Sequence, residues 1–248
     1  MPGGPESHTL ADAAGLIGPE DRVFVLTGAG ISAESGLATF RGSGGLWNGF
    51  RVEEVATPEA WKKSHALVWN FYSMRRKDAR EAQPNAAHEA LAHAARKLGE
   101  RLYLCTQNVD DLHERAGSER VHHMHGSLFQ SRCERCNQPF DDESVYETGS
   151  ALPVCAVCGG AVRPHIVWFG EVPLEMGNIY EQLEQATVLL VVGTSGSVYP
   201  AAGFVQIARE LGVRTIYVGP EEPSNASSFD TILLGTATAV LPALLALP

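Results

Sequence analysis

The sequence predicts an α/β protein built on a doubly wound, mostly parallel sheet that carries a second, smaller module. Three observations predict this fold class. Short apolar runs alternate with helical patterns, a glycine-rich turn follows the first run, and two Cys-x-x-Cys pairs lie within one polar segment. Strands that alternate with helices favour a parallel sheet with helices on its faces.

Most of the predicted strands are short runs rich in valine, isoleucine and leucine, as buried parallel strands usually are. They are Val23–Leu26, Leu102–Cys105, Val121–Met124, Val188–Val192, Thr215–Val218 and Ile232–Leu234. Helices are predicted over Asn85–Leu98 and Ala201–Leu211, because each apolar pattern of helical spacing follows a proline, which suits the first turn of a helix. A longer helix is predicted over Pro58–Gln83.

Two segments interrupt the alternation of strands and helices. Residues 40–83 begin glycine-rich and continue as the long helix, and residues 127–163 contain the cysteine pairs. We therefore predict one Rossmann-like sheet domain assembled from residues 1–39, 84–126 and 164–248, with the two segments as inserted modules.

The composition is that of a soluble globular protein, with 44% hydrophobic and 19% charged residues among 248. Lysine and arginine number 19 against 29 aspartates and glutamates, a formal net charge of −10. Because this field repels a phosphate backbone, we expect no nucleic-acid partner. The first residues lack a basic region followed by an apolar stretch, and the longest apolar run is too short to span a bilayer. We expect a cytoplasmic protein with no membrane partner.

The turn after the first strand, Gly28-Ala29-Gly30-Ile31-Ser32-Ala33, fits a phosphate-binding pattern. Missing side chains let backbone N–H groups approach a pyrophosphate at a helix N-terminus. A dehydrogenase would continue into a second strand ending, about 20 residues on, in an acidic residue. Residues 37–47 instead contain three glycines and no such acid. A nucleotide phosphate is therefore predicted without hydride transfer, and a tight turn with no ligand stays open on these residues alone.

Four of the five cysteines form two pairs, Cys133-x-x-Cys136 and Cys155-x-x-Cys158. This is the spacing of a four-cysteine zinc ribbon, in which each pair presents two thiolates to one tetrahedral ion. Four thiolates leave no open position for water, so the ion would be structural. Disulfides are the alternative, which a reducing cytoplasm disfavours. Cys105 is predicted to be a buried core thiol.

Polar side chains follow two of the predicted strands, in the segments 106–111 and 122–126. The carboxyl ends of strands are where open α/β sheets bind ligands. Histidine at such an end can act as a general base, while asparagine and aspartate can orient a ribose, a water or a carboxamide. Capped turns, or a surface metal pair at His123 and His125, are the alternatives.

The order and spacing of these motifs resemble the sirtuins from Val23 to the C-terminus. The matching stretches are Gly28–Gly36, Phe40-Arg41, Gly45-Leu46-Trp47, Gln107–Asp110, His125-Gly126, both cysteine pairs, Phe169-Gly170-Glu171 and Gly193-Thr194-Ser195. The resemblance implies that the sheet domain binds NAD as a co-substrate and that nicotinamide is cleaved from it. An acyl group would pass from a protein lysine to ADP-ribose, giving nicotinamide, acyl-ADP-ribose and free lysine.

The resemblance also implies roles for individual residues. His125 would be the general base and Asn108 a second catalytic residue, and Asp110 would hold the nicotinamide carboxamide. The implied cofactor-binding residues are Gly28, Ala29, Gly30, Ser32, Phe40, Arg41, Trp47, Gln107, Asn108, Asp110, Gly193, Thr194, Ser195, Gly219 and Ala237. The implied zinc ligands are Cys133, Cys136, Cys155 and Cys158. Where many relatives carry an asparagine near the adenosine ribose, this chain has Gly219, so contacts there would come from the backbone.

The implied substrate residues are Ala56, Tyr72, Arg75, Val167, Phe169 and Gly170. Within the long helix Tyr72 and Arg75 share an otherwise largely apolar face by their spacing. With Ala56 they resemble the sirtuin branch that removes succinyl and malonyl groups, in which the tyrosine and arginine bind the acyl carboxylate. On spacing alone, an arginine whose stem packs while its head reaches water is the alternative. Arg76, about 100° further round the helix, is predicted to lie on the surface.

Two other functions remain open from the sequence. The same cleavage of NAD with a protein nucleophile would make the chain a mono-ADP-ribosyltransferase. A non-catalytic zinc-ribbon binding module is the other alternative, and it would not need His125, Asn108 and Asp110 together.

Overall fold

The computed structural model describes residues 6–8, 13–39, 46–47 and 49–247, with side chains over 13–39 and 49–247. Its strands are β1 Glu6–His8, β2 Val23–Thr27, β3 Leu46–Trp47, β4 Phe50–Arg51, β5 Leu102–Thr106, β6 Val121–His123, β7 Gly126–Cys133, β8 Pro139–Asp141, β9 Val162–Ile166, β10 Val188–Val192, β11 Arg214–Gly219 and β12 Thr231–Leu234. Seven of them form one sheet of parallel strands in the order β1-β12-β11-β10-β2-β5-β6.

The helices are α1 Val52–Val55, α2 Pro58–Lys63, α3 His65–Glu81, α4 Ala86–Leu98, α5 Leu112–Arg115, α6 Met176–Glu184, α7 Phe204–Glu210 and α8 Ala237–Leu244. Among the described helices, none has both the length and the apolar character that crossing a bilayer requires. The doubly wound parallel sheet of the sequence prediction is confirmed.

Side chains of the sheet alternate between two apolar layers. Val25 and Leu190 face the layer that contains α4 and α8, where Leu91 and Leu241 are fully buried. Their neighbours in the chain face the opposite layer, which contains α6 and α7. Because the strands are covered on both faces, every residue of β2 and β10 is buried, and such strands read as continuous apolar runs.

The chain runs from β2 outward through β5 to β6, then returns to the other side of β2 at β10 and continues outward to β12. The order of strands therefore reverses between β2 and β10. In open α/β sheets, ligands bind in the crevice outside the carboxyl ends of the strands at this point. The loops that follow β2, β5 and β10 converge there.

A second core lies beside the sheet, where α2 and α3 pack on the three-stranded sheet β8-β7-β9 of the cysteine segment. Its largest members are aromatic: Trp61, Trp69, Tyr72 and Trp168 are each at most 3% exposed. Trp69 Nε1 donates to the Val162 carbonyl at 3.1 Å. The helical segment and the cysteine segment thus share one packed core, while the domain boundaries given above remain a prediction.

The prediction of one helix over Pro58–Gln83 is wrong. The backbone of Ser64 is extended, with φ −158° and ψ 94°, and it separates α2 from α3. The Ser64 side chain accepts a hydrogen bond from the Leu67 N–H at 3.2 Å and so caps α3.

The prediction of a surface position for Arg76 is also wrong, since its side chain is fully buried. Nη1 lies 3.2 Å from Asp142 Oδ2, and Nη2 donates to Ser131 Oγ at 3.1 Å. The guanidinium also donates to the carbonyls of Leu128 and Ser144. Arg76 therefore joins α3 to the three-stranded sheet on the side away from the sheet domain.

Candidate active site

A cavity of about 650 Å³ opens at the carboxyl ends of the strands, between the sheet and the second core. Its walls come from the loops after β2, β5 and β10, from α3, and from the segment after β9. The predicted site residues that line it are Gly28, Ala29, Gly30, Ser32, Ala56, Tyr72, Arg75, Gln107, Asn108, Asp110, His125, Val167, Phe169, Gly170, Gly193, Thr194 and Ser195.

The glycine-rich loop after β2 packs directly on the backbone of the loop after β10. The Gly30 N–H donates to the Gly193 carbonyl at 2.8 Å. A Cβ atom on Gly30 would lie 2.7 Å from Gly193 Cα, closer than real Cβ atoms approach. A Cβ on Gly28 would meet the same carbonyl at 2.9 Å. Glycine is required here by the contact between the loops, and the absence of side chains also leaves room for a pyrophosphate.

Polar side chains from the loop after β5 meet Ser32 in the wall of the cavity. Asn108 Nδ2 donates to Ser32 Oγ at 3.1 Å, and Ser32 Oγ donates to Asp110 Oδ2 at 3.4 Å. Burial raises the pKa of Asp110, while hydrogen bonding from Leu112 N–H and the positive charge of Arg75 oppose that shift. The two side chains expected to hold the ribose and the carboxamide are therefore held together by one serine.

A buried histidine that the sequence motifs do not predict as a site residue supports the same serine. His88 Nε2 lies 3.4 Å from Ser32 Oγ, while its Nδ1 lies 3.0 Å from Asn85 Oδ1. Burial lowers the pKa of His88 to about 4, so the ring is neutral near pH 7. The only available signal was its place on the buried face of α4, which histidines with no functional role also occupy.

His125 is held in one orientation. Its Nδ1 lies 3.1 Å from the Gln107 carbonyl oxygen, which can only accept, so Nδ1 carries the hydrogen. Nε2 is then the proton acceptor, and the residue lines the cavity. Burial lowers the pKa of His125, so the neutral form is the main form at pH 7. This geometry suits a general base.

The segment after β9 forms one wall and is fixed by an ion pair. The Val167 N–H donates to the His125 carbonyl at 2.9 Å, and the Phe169 N–H donates to the Ala56 carbonyl at 3.1 Å. Glu171 accepts from the Trp168 N–H at 2.9 Å and from Arg163 at 2.7 Å. Glu171 belongs to one of the sirtuin-like motifs, but the sequence does not predict its role as the anchor of this segment, because only the fold brings Arg163 to it.

Tyr72 and Arg75 lie side by side in the cavity wall next to Ala56. The Tyr72 hydroxyl accepts a hydrogen bond from Trp168 Nε1 at 3.0 Å, which leaves its own hydrogen for another acceptor. Burial raises the pKa of Tyr72 to about 12. Burial lowers the pKa of Arg75, and the negative charges of Asp110 and Asp78 oppose that shift.

Gly219 and Ala237 do not line the cavity. The Tyr217 ring lies against Gly219, and Ala237 begins α8 within the apolar core. The wall near them is formed instead by Tyr217 and residues 220–222. Phe40 and Arg41 lie outside the described residues, and of Trp47 only the backbone, in β3, is described.

The four cysteines of the two pairs come together at the edge of the second core. Their sulfur atoms all lie within 4.8 Å of one another. Hydrogen bonds from the Cys136 and Arg135 N–H groups lower the pKa of the Cys133 thiol to about 6. Hydrogen bonds from the Cys158 and Val157 N–H groups also lower the pKa of the Cys155 thiol. A set of four sulfurs, two of them predisposed to the thiolate form, fits a tetrahedral zinc ion. Cys105 lies apart, fully buried in the sheet core.

Known proteins share this sequence and fold. A family model described as the Sir2 family matches residues 28–200. An NAD-dependent protein deacylase of Caulobacter vibrioides is 51% identical over 226 residues, which cover 90% of this chain and 94% of that protein. One of Pasteurella multocida is 48% identical over 228 residues, 91% of this chain and 97% of that protein.

Solved structures agree with these relatives. A Sir2 homologue in complex with NAD superposes with a TM-score of 0.84 at 44% identity, covering 92% of this chain and 89% of that chain. A complex of Sir2 with a p53 peptide and NAD⁺ superposes with a TM-score of 0.76 at 29% identity, covering 90% and 91%. With both the sequence and the fold matched over most of its length, the chain belongs to the Sir2 family.

Proposed function

We propose that this Sir2-family chain, an NAD-dependent protein deacylase, removes succinyl and malonyl groups from protein lysines in addition to acetyl groups. The observation that carries the proposal is the pair Tyr72 and Arg75 in the wall of the cavity that contains His125. NAD supplies the ADP-ribose to which the acyl group is transferred, and the products are nicotinamide, acyl-ADP-ribose and the free lysine.

The chain's own residues divide the work. The glycine-rich loop leaves room for the pyrophosphate because Gly28 and Gly30 carry no side chains, and the Ser32 contacts keep Asn108 and Asp110 in place for the ribose and the carboxamide. His125 accepts a proton from a ribose hydroxyl at Nε2, because Nδ1 is occupied by its hydrogen bond to the Gln107 carbonyl. The substrate peptide that carries the acylated lysine binds along residues 167–171, whose backbone is held by Glu171. The peptide adds to this segment as an extra strand.

The negative charge of a succinyl or malonyl group is what the site recognises. A guanidinium offers a planar fork of donors that matches a carboxylate, and the protonated Tyr72 hydroxyl adds one donor. Ala56 lines the same cavity, and its methyl group takes up less room there than a larger side chain would. Acetyl-lysine fits the same cavity without the ionic contact. We expect the substrates to be proteins of the cytoplasm.

Arg75→Met tests the acyl preference. The substitution keeps the apolar stem and removes the charge, so a bound succinyl carboxylate loses its partner, at a cost of roughly 3–5 kcal/mol for a broken buried pair. At about 1.4 kcal/mol per decade, kcat/KM on a succinyl-lysine peptide falls about 10² to 10⁴. Turnover of the acetyl-lysine version changes little or rises. The measurement is the ratio of the two kcat/KM values.

Tyr72→Phe is the matched milder variant, since it deletes one neutral donor, worth about 0.5–1.5 kcal/mol. His125→Ala serves as the inactive control. An equal fall on both peptides in Arg75→Met would assign Arg75 to the fold or to NAD binding and end the proposal. Consumption of NAD without any acylated peptide would instead indicate ADP-ribosyl transfer to a protein nucleophile.

A further inference from the structure

Two histidines, two residues apart, hold two consecutive carbonyls of the loop after β5. His125 Nδ1 lies 3.1 Å from the Gln107 carbonyl oxygen, and His123 Nδ1 lies 3.0 Å from the Asn108 carbonyl oxygen. Since a carbonyl oxygen only accepts, both rings donate from Nδ1. The first of these rings has a place in the reaction, whereas the second does not line the catalytic cavity.

The two rings differ at their other nitrogen. His125 lines the catalytic cavity, whereas His123 Nε2 lies 2.7 Å from Glu114 Oε1 on α5. A carboxylate also only accepts, so His123 donates from both nitrogens and is an imidazolium. The His123 side chain is 16% exposed and the Glu114 side chain 41%, so water reaches the pair mainly from the carboxylate side.

We infer that His123, held charged by Glu114, is a positioning residue for the loop that carries Asn108 and Asp110. The imidazolium ties three elements together at once, because it stands at the end of β6, bonds the loop after β5 and pairs with α5. The Asn108 side chain then reaches Ser32 at 3.1 Å from a backbone that is fixed on its outer side.

The charged and titratable groups that face His123 are Glu114 and His113 from α5, Asp110 from the loop and His122 from its own strand. The carboxylates raise the pKa of His123 above its ordinary value despite burial, whereas burial lowers the pKa of His125. A group whose pKa is raised makes its contribution at low pH and loses it as the pH rises through that pKa. The neutral His125 sets the acid limb of activity, and the charged His123 sets the alkaline limb.

Glu114→Gln tests this assignment without touching the cavity. It removes the charge partner, so the alkaline limb of kcat/KM for NAD moves down by about one pH unit while the acid limb stays in place. The ring titration of His123, followed by NMR in the NAD-free protein, moves by the same amount. His123→Gln, which loses a hydrogen bond from a charged donor, lowers kcat/KM for NAD about 10-fold to 100-fold and removes the alkaline limb.

The control is Glu175→Gln, because Glu175 forms the other histidine–glutamate pair of this region, with His122 at 3.5 Å, and does not contact the loop. Its pH profile stays that of the parent. An alkaline limb unchanged in Glu114→Gln, or moved equally in Glu175→Gln, would overturn the inference.

This inference rests on the proposed deacylase activity, so NAD affinity is measured by calorimetry across the same pH range with no acylated peptide present. An affinity that falls at high pH, earlier in Glu114→Gln than in the parent, supports the positioning role even if no acyl peptide is turned over. Affinity that is independent of pH in both proteins counts against it.

Discussion

The two cores of the molecule are built from different kinds of side chain. The sheet core is mainly aliphatic, with valine, leucine, isoleucine and alanine around a few aromatic rings such as Phe24 and Phe204. The second core combines five buried aromatic rings with the buried pair Arg76–Asp142 and the cysteine cluster. Branched aliphatic side chains accept many similar neighbours. A buried ion or a set of metal ligands requires one particular partner, so removing a single partner costs far more in the second core than in the first.

Among the substitutions that test this contrast, Cys155→Ala is expected to have the largest effect on stability and activity. It leaves three ligands for the zinc ion, and isolated zinc modules draw on the order of 10–16 kcal/mol of folding energy from their metal. Because Cys133 and Cys155 belong to the same core as Tyr72 and Trp168, loss of the ion also disorders one wall of the cavity. We expect loss of bound zinc, measured by mass spectrometry, together with loss of activity.

Cys105→Ala is the control for this experiment, since Cys105 is a buried cysteine of the sheet core that lies apart from the cluster. It keeps the full zinc content. A Cys155→Ala protein with one bound zinc and parental activity would show that the second core does not depend on the ion.

Arg76→Met is expected to have the next largest effect. It leaves the buried Asp142 carboxylate in the second core without its charged partner, which lowers the free energy of unfolding by about 3–5 kcal/mol. The matched variant is Lys77→Met, in the next position of α3, whose partner Glu147 is 67% exposed, and it changes the unfolding free energy little. Urea denaturation of both proteins measures the difference. Equal stabilities would mean that Arg76 contributes only through its packed stem.

The smallest expected effect is a pH dependence of the free energy of unfolding, which arises from Asp142 in the second core. Despite burial, hydrogen bonding from Ser131 and the charge of Arg76 lower the pKa of Asp142. A depressed carboxyl pKa gives stability that is present above the unfolded value and is lost as the pH falls through the folded value. The parent therefore loses this contribution below about pH 4. Asp142→Asn is less stable than the parent at pH 7, and the gap between them narrows on acidification. A gap that stays constant between pH 7 and pH 3 would contradict this assignment.

The contrast between the cores also explains what the sequence could predict. The six predicted strands lie within one or two residues of those observed. Most of them are uninterrupted apolar runs, as strands buried on both faces usually are, whereas Val121–His123 is half-buried and carries two histidines. Glu6–His8 was missed, since it pairs with β12 at the edge of the sheet and carries polar residues. The helices between Pro58 and Gln83 were harder to predict. Ser64 could have been recognised as a helix cap from its residue type, but the lysines before it continue the helical pattern.

The buried position of Arg76 could not be predicted from helical spacing. Helical periodicity assumes one buried face, and Arg75 was placed on it, so the next residue was assigned to solvent. In the structure α3 is covered on two sides, by the cavity wall and by the three-stranded sheet, and the partner of Arg76 is 66 residues away. The candidate site was better predicted, because its motifs follow strand ends and so share one edge of the sheet. His88 and the His123–Glu114 pair were not found, since only the fold brings their partners to them.

The backbone contact between Gly30 and Gly193 has a consequence for how the chain can change over time. A Cβ on Gly193 would lie 2.5 Å from the Ile31 nitrogen, as a Cβ on Gly30 would meet Gly193. When two touching residues are large, a gain of volume at one can be compensated by a loss at the other. Both members of this pair are already the smallest residue, so neither has room to compensate. A change of nucleotide preference, whether selected in the laboratory or by evolution, is therefore expected at lining residues that carry side chains, such as Glu221 and Glu222, and not at this glycine pair.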